Sequence, residues 1–286
     1  MVFEQIYSSD FLRRRPSAGF LLGVAYTIMG LFLAITIFRS DPALIAVGIT
    51  ALLFIPSLYQ LSASAEIQES KTKSFWEFMK LTFPYIKIYV FLFFGIFFTF
   101  AGFAIFLPKL AAGHLFEQQL AILTGGHAIS GGAFFSWALF WDLFTWNLQV
   151  LMLCFVLSLV AGNGAILFIA WNASVWGTIF GNLAKTAALA SGLNILILFV
   201  LIIVSVFPHT FLEGLSYMVS TLSGTGLSDG LVKEKMMSNK MFIVVKYNLM
   251  LFLVSLGILF IACMVEAYVL NNFTTYRMII DLAFRG

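Results

Sequence analysis

A chain of 286 residues that is 61% hydrophobic and only 10% charged lies far below the roughly 25% charged content of soluble domains. Its apolar runs are continuous and near twenty residues long, which points to membrane-crossing helices and argues against a transmembrane β-barrel, whose strands alternate. The net charge of +3, with no basic cluster beyond Arg13–Arg15, argues against nucleic acid as a partner. The expected fold is therefore an all-α polytopic bundle in a lipid bilayer.

Val2 to Leu12 is amphipathic, with Phe3, Ile6, Tyr7, Phe11 and Leu12 at helical spacing, and fits a helix lying on the membrane surface. Arg13, Arg14 and Arg15 precede the first span, Gly19 to Phe38. No small-residue cleavage site follows a short apolar core, so the segment reads as retained, and the arginines place the N-terminus in the cytoplasm. Arg39-Ser40-Asp41-Pro42 is a turn, and Pro42 opens a second helix, Ala43 to Leu61. Ala63 to Lys80 is polar. Within it, Ser74 three residues before Glu77 has the spacing of a capping box, predicting a short interfacial helix with Trp76 at headgroup depth. The third span runs from Tyr85 to Phe106 and stops at Pro108. Residues 1–108 thus read as an N-terminal module of an interfacial helix and three spans. Residues 109–146 read as an extracytoplasmic interfacial segment, with Trp137, Trp141 and Trp146 in an aromatic belt. Its His114, Glu117, His127 and Asp142 have no recognised metal-ligand spacing.

Residues 147–286 form the membrane core. The span from Asn147 to Ile169 is interrupted by Gly162-Asn163-Gly164. Ala173, Gly177 and Gly181, four apart, make a groove for close helix approach. Asn172 to Ala184 is short for a span and reads as a re-entrant segment, tolerated only when buried in protein. After the apolar run Leu193 to Val204 come Pro208, His209 and Glu213. Here Pro208 is expected to end one helix and begin another, with His209 and Glu213 on one face. The last span, Leu249 to Leu270, carries one charge, Glu266. Ionisable groups in hydrocarbon are costly, so Asn172, His209, Glu213 and Glu266 are the candidate intramembrane polar site. Gly162, Gly164, Gly177, Gly181 and Pro208 are the candidate break and packing positions. Each polar residue also has a purely structural reading, as a helix cap or an interhelical hydrogen bond. Cys154 and Cys263, inside apolar runs, read as packing residues. Nothing in the chain calls for a metal or a cofactor.

Several of these features occur together in a known order. A span opens with Asn147 and carries Gly162 and Gly164. Asn172 with Gly177 follows, then Pro208-His209 with Glu213, and a last helix closes with Ala262, Glu266 and Ala267. In this the chain resembles the stage II sporulation protein M family of integral membrane proteins over roughly Asn147 to Leu270, and its first half looks like the archaeal-type members. Thr210 stands where the family pattern has glycine. In spore-forming bacteria the resemblance implies a membrane scaffold working with cell-wall hydrolases to move one membrane around another. Most relatives belong to organisms that do not sporulate, so that role does not transfer by itself.

Two function classes compete. A scaffold or envelope-remodelling protein without catalysis of its own fits the resemblance and the lack of a catalytic constellation; its partners would be the bilayer, other membrane or envelope proteins, or a second copy of the chain. A transporter or permease-like subunit fits the broken helices and the four intramembrane polar residues. An intramembrane hydrolase is the weakest reading, since neither a His-Glu-x-x-His helix nor a Gly-x-Ser-x-Gly elbow is present. The cytoplasmic membrane is the expected location. The balance of basic residues favours seven crossings over six, with the basic segment Lys233–Lys246 inside and Pro208 to Asp229 crossing. That balance counted Lys185 among the inner charges.

Overall fold

The computed structural model describes residues 9–38, 42–69, 72–124, 135–235, 237–272, 278–279 and 282. Among them the fold is all-α: α1 (Ser9–Arg14), α2 (Ala18–Ile37), α3 (Pro42–Glu69), α4 (Phe75–Phe106), α5 (Lys109–Leu115), α6 (Glu117–Thr124), α7 (Trp137–Ala161), a 3-10 turn (Gly162–Ala165), α8 (Ile166–Ser191), α9 (Ile195–Lys233) and α10 (Asn239–Asn272). Six apolar stretches are long enough to cross a membrane. The first three spans fall where the hydropathy puts them, and α1 closes the same end of the bundle, its Leu12 fully buried in the main core.

Contacts between helices give the direction of each pass. Gly30 of α2 lies against Ala46 and Thr50 of α3, while Tyr26 stacks near Phe54, so the two are antiparallel. Gly19 meets Ile88 and Gly23 meets Gly95, so α4 is parallel to α2. Gly177 meets Phe97 and Gly181 meets Ala101, so α8 is also parallel to α4. Phe94 stacks on Phe211 and Phe97 on Phe199, making α9 antiparallel to α4. Ser220 donates to the Leu151 carbonyl and Gly224 abuts Phe155, so α7 is parallel to α9. Ser223 donates to the Asn248 carbonyl and Gly230 meets Val244, so α10 runs back against α9.

The apolar stretch Trp137–Ser191 is therefore not one 55-residue crossing. It doubles back at Gly162–Ala165. Gly162, at φ +55 and ψ −122, holds a backbone conformation open only to glycine. Asn163 pins the tip of the hairpin: its Nδ2 donates to Ser62 Oγ at 2.8 Å, and Tyr89 Oη donates to its Oδ1 at 3.4 Å. That tip is level with the start of α2, where Gly19 meets Ile88. The chain thus runs from one end of the bundle to the other seven times, through α2, α3, α4, α7, α8, α9 and α10.

Three expectations are corrected. Asn172 to Ala184 is not re-entrant but the middle of α8, a 26-residue helix, long enough at 1.5 Å per residue to cross ~30 Å of hydrocarbon. Its small residues lowered the local hydropathy because they serve backbone contact. Lys185 accordingly lies at the opposite end from Arg13–Arg15, where its Nζ donates to the Leu107 and Ala104 carbonyls and caps the C-terminus of α4, as the helix dipole favours. Pro208 does not end a helix: α9 continues through it for 39 residues. The missing N–H costs one backbone hydrogen bond, and neighbouring helices and Ser/Thr side chains let membrane helices tolerate it; Pro56 and Pro84 also sit inside helices. Half of the capping box is present: Ser74 Oγ accepts from Glu77 N, while Glu77 Oε2 reaches past the N-cap to accept from Lys73 N. It starts α4 itself rather than a separate short helix.

Lipid tails are as apolar as leucine, so packing rather than hydrophobic transfer must hold such helices together. Side chains such as Phe32, Val160 and Val204 point outward. At the interfaces backbones touch. A Cβ on Gly95 would lie 2.4 Å from the Phe20 carbonyl oxygen, and one on Gly177 2.3 Å from that of Phe97. Gly177 and Gly181 lie directly against the α4 backbone at Phe97 and Ala101.

Candidate functional site: a buried carboxyl pair

Glu213 stands near the middle of α9, 7% exposed. α10 runs antiparallel beside it and presents Cys263 and Glu266, three residues apart and hence on one face. One carboxylate oxygen from each glutamate and the Cys263 sulfur all lie within 4.8 Å of one another. α7 supplies the third side. Asn147 Nδ2 donates to Glu213 Oε1 at 3.0 Å and more weakly to Cys263 Sγ at 3.8 Å, while Tyr217 Oη donates to Asn147 Oδ1 at 2.8 Å. Glu266 Oε2 is buried without a protein partner. An apolar shell that includes Phe140, Leu151, Cys154, Leu259 and Ala267, all fully buried, surrounds the group.

Among the described residues, no arginine, lysine or histidine contributes to this cluster. Two carboxylates so close in a water-poor interior cannot both stay charged without compensation. A shared proton removes one charge and supplies the missing donor; a bound cation would neutralise both. The donor set of two carboxylates and one thiol is a conceivable metal triad. However, the Asn147 amide group is directed at Glu213 Oε1 and Cys263 Sγ, so it competes with a metal for two of the three residues. The arrangement is better suited to holding and exchanging a proton.

Of the four expected polar residues, Glu213 and Glu266 meet. His209 lies one helical turn from Glu213, is 4% exposed, and its Nδ1 has no hydrogen-bond partner. Asn172 turns back on its own helix, donating to the Phe168 carbonyl at 2.9 Å. It nonetheless sits between Phe168, packed in the shell around the pair, and Trp176, whose ring lies against Gly214. Cys263, read from the sequence as packing, is part of the cluster, and Tyr217 was not singled out. A signal for both existed: Tyr217 is four residues after Glu213, and Cys263 three before Glu266. Of the alternative acidic and histidine set, His127 lies outside the described residues. His114 and Glu117 are on α5 and α6, and Asp142 is on α7.

A family model described as Stage II sporulation protein M matches residues 89–269. No curated protein and no solved structure matches the chain. The matched stretch begins within α4 and contains every residue of the cluster.

Proposed function

The chain belongs to the stage II sporulation protein M family of membrane proteins, and from that premise we propose that it is a transport-type membrane protein whose coupling ion is a proton carried by Glu213 and Glu266. The observation that supports this most is the placement of two carboxyl groups against each other, with a single amide donor between helices α7, α9 and α10. A merely structural role would favour an ordinary interhelical hydrogen bond. A second ionisable group beside the first adds cost without adding packing.

Orientation follows from charge. Of the twelve Lys and Arg residues among the described positions, ten lie at the end holding α1, the start of α4 and the α9–α10 connection; only Lys109 and Lys185 lie at the other. The positive-inside bias puts the first end in the cytoplasm, with the protein in the cytoplasmic membrane and the Lys233–Lys246 segment inside.

The test is infrared difference spectroscopy on the purified protein in nanodiscs at neutral pH. A carbonyl stretch from a protonated carboxyl is expected, and Glu213→Gln and Glu266→Gln should each remove or shift it while the protein still inserts and elutes as wild type. A spectrum in which neither substitution alters any protonated-carboxyl band would refute the proton reading. The second reading, a scaffold for envelope remodelling without catalysis of its own, draws on the role of the family's sporulating member. It predicts instead that mild-detergent co-purification returns wall hydrolases or division proteins, and that Glu213→Gln leaves this association intact.

A further inference from the structure

Six polar residues of α9 recur at four-residue spacing: His209, Glu213, Tyr217, Thr221, Thr225 and Asp229. On a helix this is one continuous ridge, winding slowly around the axis. From His209 it passes through the carboxyl pair at Glu213 and runs on toward the cytoplasmic end. Apart from Asp229, whose side chain is 17% exposed, every member is buried: His209 4%, Glu213 7%, Tyr217 3%, Thr221 0% and Thr225 2% exposed. Buried hydroxyls on a membrane helix ordinarily bond back to the carbonyl a turn earlier, as Ser205 does to Leu201 and Ser158 to Cys154. Neither Thr221 Oγ1 nor Thr225 Oγ1 makes such a bond; Thr221 has the Cys154 thiol beside it.

The lower end of the ridge opens into a small cavity whose wall is mostly apolar but carries several polar side chains. Thr225, Gly226 and Asp229 of α9 line it together with Ser62 of α3, Tyr89 of α4, Asn163 at the hairpin tip and Asn248 of α10. A Cβ on Gly226 would lie 2.4 Å from Asn248 Oδ1, so a larger residue there would have to displace the Asn248 side chain. Asp229 closes the cavity with Lys233 Nζ 3.9 Å from its Oδ1.

We infer that this ridge is the proton route between the Glu213–Glu266 pair and the cytoplasmic side, with Asp229 as its inner acceptor and donor. The inference rests on the proton reading of the pair given above. Four residues rise ~6 Å along a helix, and one water making two hydrogen bonds of ~2.8 Å covers that distance. Each rung would then be one hydroxyl and one water, and the Thr225 oxygen, which borders the cavity, is the group that the lowest water would satisfy. A proton taken up by the Asp229 carboxylate is passed on hydroxyl by hydroxyl. Each oxygen accepts one proton and releases another, so the pair gains one proton, Asp229 returns to carboxylate, and no rung is changed.

Hydrogen–deuterium exchange of the carboxyl pair measures the route directly. Protein in nanodiscs is moved into heavy water and the shift of the pair's carbonyl stretch is followed in time. Thr221→Val and Thr225→Val should slow the exchange by about tenfold or more, the kinetic equivalent of one lost hydrogen-bonded step. Thr225→Ser, which keeps the hydroxyl, should restore it, a rescue that a packing role would not give. Asp229→Asn, at the open end of the ridge, should slow exchange as well and carries the test if either valine variant does not fold. Unchanged rates in folded Thr225→Val and Asp229→Asn would overturn the route while leaving the pair intact. A wild-type spectrum with no band sensitive to Glu213→Gln or Glu266→Gln would instead remove the pair, and the route with it.

Discussion

Asn147→Leu keeps the branching and heavy-atom count of the side chain and breaks two interhelical contacts at once: the bond to Glu213 at 3.0 Å and the bond from Tyr217 at 2.8 Å. Interhelical hydrogen bonds in membrane proteins average about 0.6 kcal/mol, with about 1.7 kcal/mol at the upper end. A carboxyl acceptor roughly doubles the strength of its bond. The substitution also leaves the Tyr217 hydroxyl and a Glu213 oxygen buried, and an abandoned buried polar group costs about 1–3 kcal/mol. Relaxation will recover part of this, so the expected loss is about 2–4 kcal/mol. Tyr217→Phe removes only one of the contacts and both of its partners' penalties are smaller, so about 0.5–1.5 kcal/mol is expected. Equilibrium unfolding in bicelles by steric trapping reads both values. A double-mutant cycle between the two should give a coupling of at least about 0.5 kcal/mol, because they share a bond. A loss within about 0.5 kcal/mol of wild type, or strict additivity with Tyr217→Phe, would mean that Asn147 does not join α7 to the pair.

Two further outcomes test the packing and the topology. Gly177→Leu places its Cβ 2.3 Å from the Phe97 carbonyl oxygen and must push α8 off α4, with an expected destabilisation of about 1–3 kcal/mol or more by thermal unfolding in detergent; an unshifted midpoint would refute the contact. Single cysteines read the seven-pass topology in intact cells, on a background where Cys154 and Cys263 are both buried: Ser238→Cys, in the α9–α10 connection, should be shielded from an impermeant thiol reagent, and Leu110→Cys, 90% exposed at the opposite end, should react. The reverse pattern would invert the orientation.

Hydropathy made the passes legible wherever lipid faces a helix. It failed where protein faces protein. α8 carries Gly177, Gly181, Thr178 and Ser174 precisely because it is packed on several sides, and its composition then looks unlike a span. The same blindness hid the continuity of α9. Proline is punctuation in water, where a freed carbonyl is resolvated and the chain turns; inside a bundle the neighbours hold the helix straight through it. The carboxyl pair was half legible. The cost of charge in hydrocarbon marked Glu213 and Glu266, and the four-residue rule tied His209 to Glu213. Asn147 stood out only through the resemblance, because its relation to Glu213 spans 66 positions. Cys263 and Tyr217 are ordinary residues of apolar runs, and only the docking of α10 and α7 against α9 brings them to the pair.

Backbone contact on two sides of α4 has a mechanical consequence. Gly95 fixes it against α2, and Phe97 and Ala101 receive Gly177 and Gly181 of α8, with no side-chain layer between. Backbones locked in this way have no rotamers to rearrange, so α2, α4 and α8 move as one post. The meeting of α4 with α9 is of another kind: Phe94 stacks on Phe207 and Phe211, and Phe97 on Phe199, ring on ring. Stacked rings slide over one another at little cost compared with interlocked main chains. Of these contacts of α4 the aromatic seam is therefore the compliant one, and α9, which carries the glutamate and the hydroxyl ridge, lies on the yielding side of it.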